Sequence, residues 1–508
     1  MQKKIQKFLF WFILIQPFLD FYWLNTPPLS EILPFSFPTI IRIIGIIFLA
    51  GMYLSKKQSW RLLKRQWWII GYLIILTLYC ICHLVHVAQF KSLSATSYHY
   101  SLTAEIFYLV RMFLPLIVLY ITKYLKFSEQ TIEHLVQILV GTFSGIIVIT
   151  NLLVISLRSY GDGRIGANFF AWFTPHYLSY TLTASKGFFY FANTLSAILF
   201  MLAALMIYFF IKNFNWINGI LVFLLGWSML MLGTKTSTLG FIIVLAAWFI
   251  LYFIHAFIFK NIHFSWKIIT CLIALGGIYL AIIPASPMIA RQKADAMMLE
   301  REKGTKYSEP VLNKKLATGL KKTKTKSERE QYLKSFIKEN YRHYSLDEKF
   351  VKKSYSYKND PEFWYGLMTG TSTLTRLNNR FTEQAMLNQV VKYNNNSGDR
   401  WLGISYARTS NIFNLERDFI YQSYSLGWIG AILFLGIYII SEIYALIAWV
   451  NNKNNHKLLN SALLLANGIC LVAAFYSGNV MDFLTATILL GFFTGYMLSL
   501  ITKKESAD

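Results

Sequence analysis

Two carboxylates flank a guanidinium at Glu416-Arg417-Asp418, immediately before a long apolar run. Such a cluster reads either as an exposed salt-bridge group around Arg417 or as chemistry. In the chemical reading, Glu416 or Asp418 accepts a proton from an attacking hydroxyl, which requires hydrogen-bond reach of that proton. The surrounding stretch begins polar at Asn395, passes Gly403-Ile404-Ser405-Tyr406 and Arg408, and turns apolar through Gly427-Trp428-Ile429-Gly430. Ionisable groups where a polar loop meets a membrane span are costly unless they pair with each other or with a polar ligand. This stretch therefore reads as one edge of an active site.

Cations recur at two other junctions. Lys186-Gly187 leads through Phe188-Phe189-Tyr190-Phe191 to Asn193, a lysine at the outer surface with an amide about two turns deeper. Lys235 stands between Thr234 and Thr236, with a helix starting after it, and a helix N-terminus beside a cation is a ready anion site. Each lysine alone is also what an interfacial cation looks like. Together with Arg376, Arg380 and Arg408 they form a positive set whose natural partner is a pyrophosphate.

The elements that position these residues follow from composition. The chain is 55% hydrophobic and 17% aromatic over 508 residues, more apolar than a soluble protein of that size. Its mean hydropathy is +0.43. Many runs reach the ~20 residues a helix needs to cross about 30 Å of hydrocarbon. A membrane β-barrel would show short alternating segments instead. The class is an all-α polytopic membrane protein. Cys80, Cys82, Cys271 and Cys470 all fall inside apolar runs, so they suggest packing and neither a disulfide framework nor a zinc site.

Apolar length predicts about twelve transmembrane helices. They lie near 7–25, 38–55, 66–87, 104–121, 132–156, 188–211, 215–233, 236–259, 266–287, 421–450, 457–477 and 482–502. The first is read as a retained span, because no small-x-small cleavage site follows it. Alternate short loops hold seventeen Lys and Arg on one side, from Lys3 to Lys503 and Lys504, against five on the other. Positive loops stay inside, so both termini are expected in the cytoplasm. One large loop, 288–420, precedes the last three spans and faces outward, which divides the chain into 1–287, 288–420 and 421–508. It holds 25 Lys and Arg against 15 Asp and Glu. Its lysine-rich first part reads as a solvated surface or as attraction to anionic headgroups or an anionic polymer. Nucleic acid is not an expected partner on that side. Phe381–Tyr393 reads as a short amphipathic helix.

Several ionisable residues fall inside spans: Asp20, Arg42, Glu105, Arg111 and Glu442, with His83 and His255. Such groups face a bundle interior. Asp20 pairs with Arg42 or Arg111 to fix packing, or serves substrate. His83 is expected at the interface, and His255 and Glu442 are close enough to span ends to snorkel.

With these patches in order, the chain resembles the O-antigen ligase and O-antigen polymerase superfamily. Gly427-Trp428-Ile429-Gly430 is similar to a Gly-x-x-Gly at the start of the span after the large loop. Thr234-Lys235-Thr236 is similar to a polar hairpin that usually carries arginine. Lys186 to Asn193 is similar to a Lys-Gly-aromatic stretch ending in Asn. Arg380 with Leu402-Gly403-Ile404-Ser405 is similar to a loop Arg followed by Leu-Gly-x-Ser. The best-known ligases carry His-Asn where this chain has Glu416-Arg417, eleven residues before Gly427. Glu416-x-Asp418-Phe419 resembles a branch common in Gram-positive bacteria.

The resemblance implies a GT-C-like glycosyltransferase architecture in a bacterial plasma membrane. It implies inverting transfer from an undecaprenyl-pyrophosphate-linked glycan to a glycan, lipid or wall-polymer acceptor. Glu416 or Asp418 would be the base. Lys186, Lys235, Arg376, Arg380 and Arg408 would hold the pyrophosphate, with Asn193, Arg111 and Arg417 in support. Pyrophosphate is a good leaving group, so neither cofactor nor metal is expected. Membrane lipids and polysaccharide assembly proteins are the expected partners. Two other classes compete: a flippase of lipid-linked glycans, which favours internal repeats and broken midplane helices, and a non-enzymatic scaffold of a glycan assembly complex.

Overall fold

The computed structural model describes residues 2–25, 36–91, 100–161, 163–174, 180–300, 303–406, 408 and 415–501. Lys503 and Lys504 of the expected cytoplasmic set lie outside them. The chain is an all-α polytopic membrane protein. Among the described residues, ten helices are long and apolar enough to cross a membrane. Large apolar side chains such as Ile44, Trp67, Trp216 and Ile250 are exposed, as lipid-facing residues are.

Two of the twelve expected spans fall short of that length. The 7–25 run breaks into helices Gln2–Leu14, Gln16–Leu19 and Tyr22–Asn25. At the second break the backbone leaves helical bonding for another partner: Tyr22 N–H donates to Phe188 O at 2.8 Å, and Asp20 O accepts from Tyr190 N–H at 2.9 Å. The 215–233 run forms Trp216–Leu232, capped by the Asn215 side chain and stopped by Gly233 in a left-handed conformation. Beyond Ile282 the 266–287 run does not end; a 3₁₀ turn at Ile283–Ala285 leads into Pro287–Glu300. The tenth run splits at Gly427 into Asp418–Ser425 and Gly427–Asn451.

The chain divides into two compact units. The first comprises 1–74, 107–292 and 434–508. Its centre is helix Ala192–Lys212, apolar and buried all round from Thr194 to Ile211. Leu458–Tyr476, Lys235–Phe253, Trp216–Leu232 and Glu129–Leu152 pack around it. Small residues let helices close up: Gly240 faces Phe200, and Gly491 and Gly495 face the backbone of Pro115 and Leu119. Buried Arg42 pairs with Asp20 at 2.9 Å and donates to Gln16 Oε1 at 2.9 Å, so this pair ties helices. His255, expected to snorkel, is fully buried between Asn261 and Ser461, because both ring nitrogens find partners there.

The second unit comprises 75–106 and 293–433, so it takes in more than the 288–420 segment. Its core is aromatic and aliphatic, with Trp364, Tyr344, Phe350, Met386 and Tyr421 at the centre. The lysine-rich stretch forms helices Glu309–Leu320 and Lys326–Asn340, the second opened by a Thr325–Glu328 capping box. The 381–393 region is helical and longer than expected, Asn379–Asn394.

Hydrogen bonds explain why 75–106 belongs to the second unit. His83, expected at the interface, is fully buried. Its Nδ1 lies 2.5 Å from Leu402 O and its Nε2 lies 2.9 Å from Glu105 Oε1. Both Glu105 oxygens also accept from Tyr406 N–H at 3.1 Å. One turn on, His86 Nε2 meets Asp399 Oδ1 at 2.8 Å, and Asn394 meets the other oxygen at 2.6 Å. A buried charge survives only with such partners.

Candidate functional site

In the second unit, Glu416 lies just ahead of helix Asp418–Ser425, and Arg380 lies in the first turn of Asn379–Asn394. Arg380 Nη2 donates to Glu416 Oε2 at 2.8 Å and its Nε donates to the same oxygen at 3.2 Å. The Glu416 side chain is 41% exposed and that of Arg380 25% exposed, so the pair meets solvent while staying in place. Arg417 is half-buried, and Asp418 is buried at the first position of its short helix. Glu416 is thus the more accessible of the two expected bases.

Helix geometry brings a third carboxyl to this pair, one that sequence reasoning missed. Glu383 follows Arg380 by three residues on the same helix and is buried. Lys349, from the π-helical turn Lys349–Ser354, also faces it. Burial first, and then the Glu416 charge, push the Glu383 carboxyl up to about 9, against the pull of Lys349, Arg380 and the Glu416 backbone N–H. The signal was available only as helix phase, since a lone Glu in a polar loop looks like any surface residue.

Two expected pyrophosphate ligands have other work. Arg376 is 1% exposed. Its guanidinium donates to the carbonyls of Tyr344, Met368 and Thr371 and to the Glu309 carboxylate. Arg408 is also buried, between the rings of Phe90 and Tyr100 at 4.5 and 4.7 Å. It donates to Val87 O at 2.6 Å, at the C-terminal end of a helix where carbonyls seek a cation. Burial lowers the Arg408 pKa, and the charge of Glu105 acts against that. Both arginines make buried contacts that hold the second unit together.

The Leu402–Ser405 and Gly427–Gly430 patches prove to be one structure. Gly403 (φ 81°) and Gly427 (φ 70°) cross backbone to backbone, and a Cβ on either would run into the other strand. Ile404 N–H donates to Tyr424 O at 2.9 Å and Ser405 N–H to Ser425 O at 3.2 Å. Gly430 leaves room for the Tyr79 ring, whose hydroxyl donates to Leu426 O at 2.5 Å. This crossing sets the ends of the segment that carries Glu416.

The first unit holds Lys186, Lys235, Asn193 and Arg111. Its two lysine junctions meet each other. Ser185 N–H donates to Met231 O at 2.8 Å, and Gly233 packs against Ala184. Lys186, expected at a surface, is buried, because its Nζ donates to Tyr190 O at 2.6 Å and lies over the Tyr22 ring. Lys235 is exposed at the first position of helix Lys235–Phe253, whose start is capped by the Thr234 side chain. Sequence reasoning missed Tyr160 and Arg291 here. Tyr160 donates to Gly233 O at 2.8 Å, and Arg291 stacks on the Tyr160 ring at 4.7 Å. Arg158 joins the same knot through a backbone bridge to Ser185. Asn193 is half-buried at the start of Ala192–Lys212. Arg111 lies 5.6 Å from the Tyr108 ring, whose hydroxyl donates to Asp482 at 3.1 Å.

A family model described as "O-antigen ligase like membrane protein" matches residues 2–504 of the chain. No curated protein matches.

Proposed function

Since the chain belongs to the O-antigen ligase-like membrane proteins, we propose that it is a cell-surface polysaccharide polymerase or ligase. It takes a glycan from undecaprenyl pyrophosphate and passes it to an acceptor hydroxyl at the outer face of the plasma membrane. The observation that carries this reading is the solvent-facing Glu416 carboxylate held by Arg380 at 2.8 Å. A base held in one place by a fixed cation can reach an acceptor proton without reorganising.

In the transfer, the acceptor oxygen bonds to C1 of the donor sugar as the C1–pyrophosphate oxygen bond breaks. The acceptor proton goes to Glu416, and undecaprenyl pyrophosphate leaves with the electron pair. Inversion at C1 follows from attack opposite the leaving group. Lys235, exposed at the start of its helix, supplies positive charge for the departing pyrophosphate. Lys186 fixes the turn that meets the Lys235 junction. Fixed cations aimed at developing charge stabilise a transition state more than a ground state. A leaving group that already carries its charge needs neither general acid nor metal.

The test is polymer analysis in cells that carry single variants. Glu416→Gln is expected to lower polymer at least ~100-fold, the lower end of general-base effects. Lys235→Ala is expected to lower it to a similar extent, as the loss of one charge-stabilising donor does, on the order of 100-fold. Both proteins should still insert in the membrane. Normal polymer from both single variants overturns the reading.

A further inference from the structure

The Glu383 carboxyl is 4% exposed, and among the described residues its Oε2 has no hydrogen-bond partner. The charged groups that face it are Arg380 on its own helix, Lys349 from the 349–354 turn, and Glu416. Arg380 gives two N–H groups to one oxygen of Glu416. Two carboxylates this close do not both ionise when one is buried, because desolvation and like charge act in the same direction. The buried member is the one that keeps its proton, since a neutral acid costs far less to bury than an anion.

We propose that Glu383 and Glu416 are one carboxyl pair carrying a single negative charge, with Glu383 a neutral acid that leaves the charge and Arg380 to Glu416. This rests on the reading of Glu416 as proton acceptor and deepens it. Glu383 is a positioning residue. Were it ionised, it would compete with Glu416 for Arg380 and repel it from the side away from solvent. As an acid it does neither, and Glu416 stays ionised and exposed where an acceptor hydroxyl can arrive.

Infrared titration of the detergent-solubilised full chain tests the pair without any substrate. The wild-type minus Glu383→Gln difference spectrum should contain a carboxylic-acid carbonyl band at neutral pH that disappears with a midpoint of about 9. In Glu416→Gln the same band should titrate at lower pH, since the neighbouring negative charge is gone. In cells, Glu383→Gln should keep polymer within about twofold of wild type, because the amide imitates the neutral acid, whereas Glu416→Gln loses at least ~100-fold. Absence of the acid band, or an unmoved midpoint in Glu416→Gln, overturns the shared charge. So does a loss of polymer in Glu383→Gln as deep as that in Glu416→Gln. Full polymer from both variants with the band present sinks the base assignment of Glu416 and leaves the shared charge standing.

Discussion

At the scale of single residues, arginines that look alike in the sequence divide by what surrounds them. Arg376 and Arg408 are enclosed and answer backbone carbonyls, whereas Arg380 meets a solvent-facing carboxylate. Glu383 makes a different kind of demand, because a buried acid changes how stability depends on pH. Its folded pKa lies above the unfolded value of 4.5, at about 9. Between those values the folded state binds the extra proton, so stability falls as pH rises through that window. Glu383→Gln removes the titrating group. We expect the variant and wild type to melt alike near pH 4.5 and the variant to melt higher as pH approaches 9, in scans of the purified chain. Equal melting at both ends would contradict a buried neutral acid. The sequence made Glu416 and Arg380 visible separately, one as a base and the other as an anion ligand. Their pairing across 36 residues was not legible, because nothing local relates a loop carboxylate to the first turn of a distant helix.

At the scale of elements, most of the helices were legible, since length and apolarity alone decide which segments can satisfy their backbone in lipid. What periodicity could not show was where a run breaks. Asp20 divides the first run because its carboxylate goes to Arg42 and its carbonyl to Tyr190. Gly427 divides the tenth because the chain crosses Gly403 there. The Gly-x-x-Gly patch resembles a family feature, and its physical content is contact. Gly427→Ala adds a Cβ against the Trp401 backbone at a positive φ, which costs about 1–3 kcal/mol in conformation alone. We expect that variant to give less folded protein in a detergent thermal-stability assay, with Trp428→Ala, half-exposed on the neighbouring position, much closer to wild type. The reverse order would remove the crossing from the account.

At the scale of the whole molecule, the family assignment and the membrane class rest on nearly the full length of the chain. The expected orientation rests on charge asymmetry alone, seventeen basic residues in one set of short loops against five in the other. That asymmetry makes a prediction in a variant lacking the four native cysteines. A cysteine placed at exposed Lys314 should react with a membrane-impermeant reagent in intact cells, and one at exposed Arg61 only after permeabilisation. The opposite pattern would turn the protein over and put Glu416 on the cytoplasmic side, away from acceptors outside the cell. Segment 75–106 shows how whole-molecule organisation escaped the sequence. By apolarity it is part of a span and its neighbour, yet His83, His86 and Glu105 bond to residues about 300 positions later. His83 and Glu105 looked explicable alone, as an interfacial histidine and a buried acid, and His86 carried no signal of its own.

The meeting of Gly403 with Gly427 also sets rules for insertion and deletion. Because its two ends touch, 404–426 is a closed arc; closing a flexible arc costs only about 0.6 kcal/mol more for each doubling of its length, but Arg408, Leu415, Asp418 and Tyr421 are buried along this one and resist a shift. One residue added just after Gly427 is a different matter. It turns the following helix by about 100°, swings position 430 out from under the Tyr79 ring, and unfastens both ends at once. A change of length within the arc therefore costs what its buried side chains lose, and one immediately beyond it costs the crossing as well.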